Sequence, residues 1–211
     1  MDIVLMGAPG AGKGTQAERL EKTLSYTHIS TGDVLRREMA SGSELGKQIA
    51  AVINRGDLIS DEMMLSILKQ VVSGIKQDII FDGFPRTVVQ AEMLDKMLAG
   101  LGRQLGKVIN ITLADEVVVA RLSGRKQCKL PSGETKQIGP DFSLADCQAQ
   151  GGEVFTRKDD TPESIAHRLA VYHKQTAPVA DFYRNNGRFV EVNGDQSPDK
   201  VLADLLTIVK A

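Results

Sequence analysis

The segment GAPGAGKGTQ, residues 7–16, constrains this chain more than any other. Gly7, Gly12 and Lys13 fit the phosphate-loop pattern G-x-x-x-x-G-K-[ST]. In that pattern backbone N–H groups cradle phosphate oxygens and the lysine reaches the outer phosphates. The pattern carries function only between a buried strand and a helix. The flanks meet this condition. DIVLM (2–6) is a short apolar run rich in branched residues, suited to a strand buried on both faces. From Lys13 a helical spacing puts Ala17, Leu20 and Leu24 on one side. One position departs from the pattern. Gly14 stands where a Ser or Thr hydroxyl would hold magnesium, and Thr15 comes one place late. Either the match is chance or the loop handles its metal differently.

The rest of the chain repeats the alternation. DIIFDG (78–83), KVINITL (107–113) and RFVEVN (188–193) read as further buried strands. Helices are expected from about Asp115, from Thr161-Pro162-Glu163 and from Ser197-Pro198, the last two with an N-cap followed by proline. Strands alternating with helices imply an α/β fold with a parallel sheet. Two stretches break the rhythm. Residues 30–59 read as short helices with no strong strand. Residues 126–159 are rich in Gly, Pro, Lys, Gln and Asp and thin in apolar side chains. That stretch is too long for an ordinary connection. Its turn signals favour a small, mostly β subdomain.

Charge and composition exclude several function classes. Of 211 residues, 26 are Lys or Arg and 27 are Asp or Glu, for a formal net charge of -1. Such a balance argues against a general nucleic-acid binder, which must neutralise many phosphates, but allows one small phosphate-bearing ligand. No apolar run approaches the ~20 residues needed to span a bilayer. MDIVLM has no basic n-region and too short an apolar run for a signal peptide. Cys128 and Cys147 are the only cysteines and make no disulfide framework. A cytoplasmic chain with no membrane or nucleic-acid partner is expected.

Seven stretches together carry a family resemblance: GAPGAGKGT (7–15), STGDVLR (30–36), GDLISD (56–61), FDGFPRT (81–87), RLSGR (121–125), TRKDD (156–160) and RL..YH..TAP (168–178). In order and spacing they resemble the successive motifs of adenylate kinases, nearly end to end. The long insert is similar to the lid of the long, bacterial-type members. The resemblance implies a parallel-sheet core with helices on both faces, formed by residues 1–29, 60–121 and 160–211. It also implies a small helical AMP-binding insert, 30–59, and a small mostly β lid, 122–159. The implied reaction is reversible phosphoryl transfer from Mg-ATP to AMP, giving two ADP. ATP, AMP and ADP would be the partners, and the chain a monomer.

The resemblance also resolves the odd loop. It implies that magnesium is held mainly by nucleotide phosphates and water, with Asp33 and Asp82 orienting its waters and Thr15 nearby. Magnesium commonly keeps several waters, so a first-shell hydroxyl is not obligatory. ATP would bind at Gly10, Ala11, Gly12, Lys13, Gly14 and Thr15, with Arg121 and Arg125. AMP would bind at Thr31, Arg36, Asp57, Leu58, Ile59, Gly83, Arg86 and Gln90, with Arg157 and Arg168. Lys13, Arg86, Arg121, Arg125, Arg157 and Arg168 would carry the chemistry. That is physically reasonable: phosphoryl transfer needs positioning and charge compensation, and arginine's planar fork suits phosphate oxygens. The acceptor phosphate is already an anion, so no general base is needed. His28, His167 and His173 are accordingly read as structural.

Two alternatives stay open at this level. One is a kinase for another nucleoside monophosphate, UMP or CMP. Relatives of that kind share the loop and DGFPR but typically carry Ala at the position of Thr31 and have a short lid. The other is a non-catalytic nucleotide-binding switch, which would not need a second nucleotide site. In the lid, some long-type relatives carry four metal ligands. Here Pro131 and Gln150 stand where partners of Cys128 and Cys147 would be, with Ser132 and Asp146 nearby. Structural zinc wants four good donors. No structural zinc is expected, and the two cysteines should lie close together and reduced, among local hydrogen bonds from Ser132, Asp146 or Gln150.

Overall fold

A computed structural model describes every residue except Gly56. That residue opens the GDLISD motif, so this one position of the motif lies outside the described residues. The core is a five-stranded sheet of β1 (Asp2–Met6), β2 (Thr27–Ser30), β3 (Ile79–Asp82), β4 (Leu105–Thr112) and β8 (Phe189–Asn193). Its order is β2-β3-β1-β4-β8, and every neighbouring pair is parallel. The α/β class expected from the alternation is therefore present. The strand β2 was not expected from the sequence: THIS is short, has one apolar residue in four and is only partly buried.

Side-chain alternation on the strands decides where the helices pack. On β1, Ile3 and Leu5 face one side with α1 (Lys13–Leu24) and α10 (Pro198–Lys210). Val4 and Met6 face the other, with α4 (Asp61–Val72), α5 (Val88–Gly100) and α9 (Ala177–Arg184). Both faces are thus covered, as a parallel sheet requires. Leu20 of α1 is fully buried, and truncating such a leucine typically costs ~2–5 kcal/mol. Ser197 caps α10 and Thr161 caps α8 (Pro162–Val171), each followed by proline, as their sequences predict.

Two smaller pieces stand on this core. The helices α2 (Thr31–Ala40) and α3 (Glu44–Ile53) pack on each other between β2 and α4. After α6 (Asp115–Ser123) comes a three-stranded antiparallel sheet, with β5 (Gln127–Lys129) between β6 (Thr135–Gln137) and β7 (Glu153–Phe155). It carries one short helix, α7 (Leu144–Ala149), capped reciprocally by Ser143 and Asp146. Its small core holds Cys128, Leu130 and Cys147, with Ile138 and Phe142 against them.

The expectation of reduced thiols is corrected here. Cys128 and Cys147 form a disulfide, with their Cα atoms 5.9 Å apart. The antiparallel sheet brings β5 under α7, which sets the two Cα atoms within the separation a disulfide needs. Asp146 is used in the helix cap, and Ser132 accepts from the Glu134 N–H at 3.4 Å.

Candidate active site

Strands β1 and β3 are neighbours, with Leu5 opposite Asp82. The loop after β1 and the end of β3 therefore open into one crevice at the carboxyl edge of the sheet, where ligands gather in open α/β folds. Gly12 is the N-cap of α1 at φ 94°, a left-handed conformation that glycine adopts without strain. No side chain caps this helix, so its first N–H groups point outward for an anion. Lys13 is folded back and donates to the carbonyls of Gly7 and Ala8, 2.8 Å each. Burial lowers its pKa to about 8; Asp82 opposes the shift, while Arg86, Arg168 and Arg125 add to it.

The crevice is a cleft of about 620 Å³. Gly10, Ala11, Gly12, Lys13, Gly14 and Thr15 form one wall. Opposite stand Asp33, Arg36, Asp57, Leu58, Gly83 and Arg86. Arg121, Arg125, Arg157 and Arg168 complete the lining from α6, the two ends of the small antiparallel piece and α8. Thr31, Ile59 and Gln90 lie outside this wall and border a small adjoining pocket. Seven cationic and five carboxylate side chains line the cleft, an excess of positive charge aimed at polyanions.

Arg86 follows β3 and is held through both its side chain and its backbone. Its Nε donates to Gly83 O at 2.7 Å and its backbone N–H to Gln90 Oε1 at 2.7 Å. Its carbonyl accepts from Thr176 at 2.9 Å, in a π-helical turn (Tyr172–Thr176) between α8 and α9. Burial lowers the Arg86 pKa; Asp82 opposes this, and Arg36 and Arg157 reinforce it. Thr31 Oγ1 reaches the carbonyls of Gly83 and Asp82 at 3.0 and 3.2 Å. Gly83 has φ 77°, which leaves room for that approach. Asp33 and Arg36 pair with each other at 2.5 Å. Burial raises the Asp33 carboxyl, but Arg36 and Ser30 outweigh it and hold the group below the usual range.

The arginines at the ends of the small antiparallel piece have carboxylate partners that the sequence did not reveal. Arg125 binds Asp160 through two hydrogen bonds, 2.8 and 2.6 Å. Arg157 does the same with Asp159, at 2.9 and 2.7 Å. Arg168 touches both aspartates. Burial lowers its pKa to about 10; Asp159 resists, while Arg157 and Arg125 push further down. The signal for Asp159 and Asp160 was the DD that ends TRKDD. Arg121 donates to the Gly194 carbonyl at 3.1 Å. Among the histidines, His28 stands 3.4 Å from Asp82. Burial lowers its pKa, but the nearby Asp82 carboxylate outweighs that and raises it. His167 pairs with Asp57 at 2.7 Å, and His173 with Asp115 at 2.8 Å.

Comparison with known proteins shows the family. The family model for adenylate kinase matches residues 5–188. An adenylate kinase of Lysinibacillus sphaericus is 41% identical over 214 residues, covering 100% of this chain and 99% of the relative. One of Caldicellulosiruptor bescii is 44% identical over 199 residues, 93% of each. One of a Geobacillus species is 42% identical over 209 residues, 97% of this chain and 96% of the relative.

Proposed function

This chain belongs to the adenylate kinase family, and we propose how its own residues carry the family's reaction. The enzyme transfers a phosphoryl group between ATP and AMP to give two ADP. The relatives lend no support to a UMP or CMP kinase or to a non-catalytic switch. The observation that supports the residue assignment is the convergence of Lys13, Arg86, Arg125 and Arg168 around one glycine loop.

ATP places its phosphates on the N–H groups of residues 10–15, with Arg121 and Arg125 beside them. AMP enters from the side of Arg36 and Arg86, its base toward Thr31, Ile59 and Gln90. An anionic oxygen of the AMP phosphate attacks the γ-phosphorus as the bond to the β-phosphate bridging oxygen breaks. Charge builds on the equatorial oxygens, and fixed cations compensate it without reorganising. Lys13, Arg86, Arg157 and Arg168 supply those cations. Phosphate replaces the present partners: carbonyls in the case of Lys13, Asp159 and Asp160 in the case of the arginines at the ends of the small antiparallel piece.

Magnesium fits this donor set only as a hydrated ion. Among the described residues no group of three or more His, Cys, Asp or Glu side chains could hold a metal ion. Asp33, Asp82 and Thr15 all border the cleft. The two aspartates would hold water molecules of an ion carried by the phosphates. When bound, magnesium neutralises phosphate charge. Residues 30–59 form the AMP-binding insert and 122–159 the lid. A monomer acting in the cytoplasm completes the proposal; among the described residues no helix is long and apolar enough to cross a membrane.

The test is ADP formation from Mg-ATP with AMP, GMP, CMP or UMP, and with no acceptor. The expected result is turnover that needs AMP and prefers it. Equal ADP without an acceptor, or a preference for a pyrimidine, would overturn the assignment.

A further inference from the structure

The amide of Gln90 is held in one sense. Its Oε1 accepts from the Arg86 N–H at 2.7 Å, and its Nε2 donates to Asp61 Oδ1 at 2.8 Å. A backbone N–H can only donate, and a carboxylate can only accept. Reversing the amide would set N–H against N–H and oxygen against carboxylate. Gln90 is 2% exposed, so water cannot relieve such a mismatch. The side chain borders the small pocket that adjoins the cleft, alongside Thr31, Met64 and Arg86.

Each end of the amide keeps one capacity: an N–H on Nε2 and a lone pair on Oε1. The pair is thus a donor and an acceptor in fixed order. Adenine offers a donor at its 6-amino group and an acceptor at N1. A 6-oxopurine reverses both, with a carbonyl at position 6 and an N–H at position 1. An amide of fixed sense matches one base and opposes the other. We propose that Asp61 is a positioning residue for specificity: through Gln90 it makes the acceptor site take a 6-aminopurine and reject a 6-oxopurine. The proposal rests on the reading of Gln90 as the base-contacting residue.

The surroundings favour this role. Asp61 is the first residue of α4, and Thr87 also lies against its carboxylate, at 3.3 Å. Thr87 in turn caps α5 by accepting from the Gln90 backbone N–H at 3.1 Å. Asp61, at the start of α4, therefore ties the cap of α5 and the Gln90 amide to that helix. A carboxylate in a first helical turn is also favourable to the helix itself, but that benefit would not depend on the base bound next door.

The test measures kcat/KM for AMP and for IMP, with KM for ATP, in the native enzyme and in Asp61→Leu, Asp61→Asn and Gln90→Ala. In Asp61→Leu the preference for AMP over IMP should fall about tenfold, the usual weight of a lost hydrogen bond to a charged group. Asp61→Asn keeps an acceptor oxygen and should retain most of the preference. KM for ATP should stay put in both, which also reports a folded core. Equal losses for AMP and IMP in Asp61→Leu would reduce Asp61 to a structural role. If Gln90→Ala lowers the preference and Asp61→Leu does not, only the role of Asp61 falls. A native preference in Gln90→Ala would overturn both the reading of Gln90 and the proposal built on it.

Discussion

Arg19 on α1 grips Asp141 in the lid: its Nε and Nη2 donate to the two carboxylate oxygens, each at 2.6 Å, across a sequence separation of 122 residues. Its remaining arm reaches Asp199 of α10 at 2.9 Å. The piece proposed as the lid is thereby fastened to the helix whose first residue is the phosphate-loop lysine. The Arg19 side chain is 11% exposed, whereas Asp199 is 92% exposed. The parallel fork to Asp141 carries the connection, and the arm to Asp199 adds little.

Cutting this contact should loosen lid closure without touching the chemistry. Asp141 is partly exposed, so the coupling is held to about 1 kcal/mol or less. In a double-mutant cycle of Arg19→Ala and Asp141→Ala, the closed fraction of the lid should drop in each single variant and no further in the double. A distance probe between lid and core reads this directly. Rising salt should shrink the difference. Fully additive effects would mean that the two residues do not act as a pair.

Lys13→Met and Arg86→Ala should each lower kcat by ~10²–10³, the usual loss for a preorganised donor. Neither residue belongs to the apolar core, so melting temperatures should stay near native. Turnover and thermal unfolding measured on the same preparations decide the matter. Near-native turnover in either variant would misplace the phosphates.

The parts that were legible in the sequence are those set by local pattern. The glycine loop, the buried runs around Ile3, Phe81 and Ile109, and the proline-opened helices at Pro162 and Pro198 all declare themselves within a few residues. The strand β2 did not, because THIS draws its strand character from pairing with β3 rather than from its own composition. The arginines that line the cleft stand within motifs visible in the sequence, but their partners were not legible. Arg125 meets Asp160 and Arg19 meets Asp141 only after the chain folds back, and nothing in either local sequence names the other. The closeness of Cys128 and Cys147 was expected, but not the bond between them. Proximity alone does not fix the redox state of two thiols.

The lysine sets a pH dependence. In the free enzyme burial holds the Lys13 pKa down at about 8, against 10.5 for the unperturbed group. Raising the pH through about 8 therefore discharges the ammonium and removes an attraction for phosphate. kcat/KM for ATP, which reports the free enzyme, should decline above that pH. Bound phosphates favour the charged form, so the same limb in kcat should lie at higher pH. ATP binding near pH 8 should also take up protons, visible as a buffer-dependent binding enthalpy. Coincident limbs in the two profiles would contradict this assignment.

Reduction of the lid disulfide should soften the lid and leave the sheet untouched. Among the described residues this piece buries Cys128, Leu130 and Cys147, too little apolar surface to hold it firmly. The cross-link closes a loop with a sequence separation of 19. In the chain-entropy model a loop of this size stabilises by ~3 kcal/mol. A reducing cytoplasm would favour the open dithiol, so the two redox forms should differ in lid behaviour. Amide hydrogen exchange compares oxidised protein, protein in dithiothreitol and Cys147→Ser. Exchange should speed up across β5, β6, α7 and β7 in both reduced and substituted protein, while β1, β3 and β4 remain as protected as before. Equal lid protection in all three would show that packing of Leu130, Ile138 and Phe142 holds the lid without the bond.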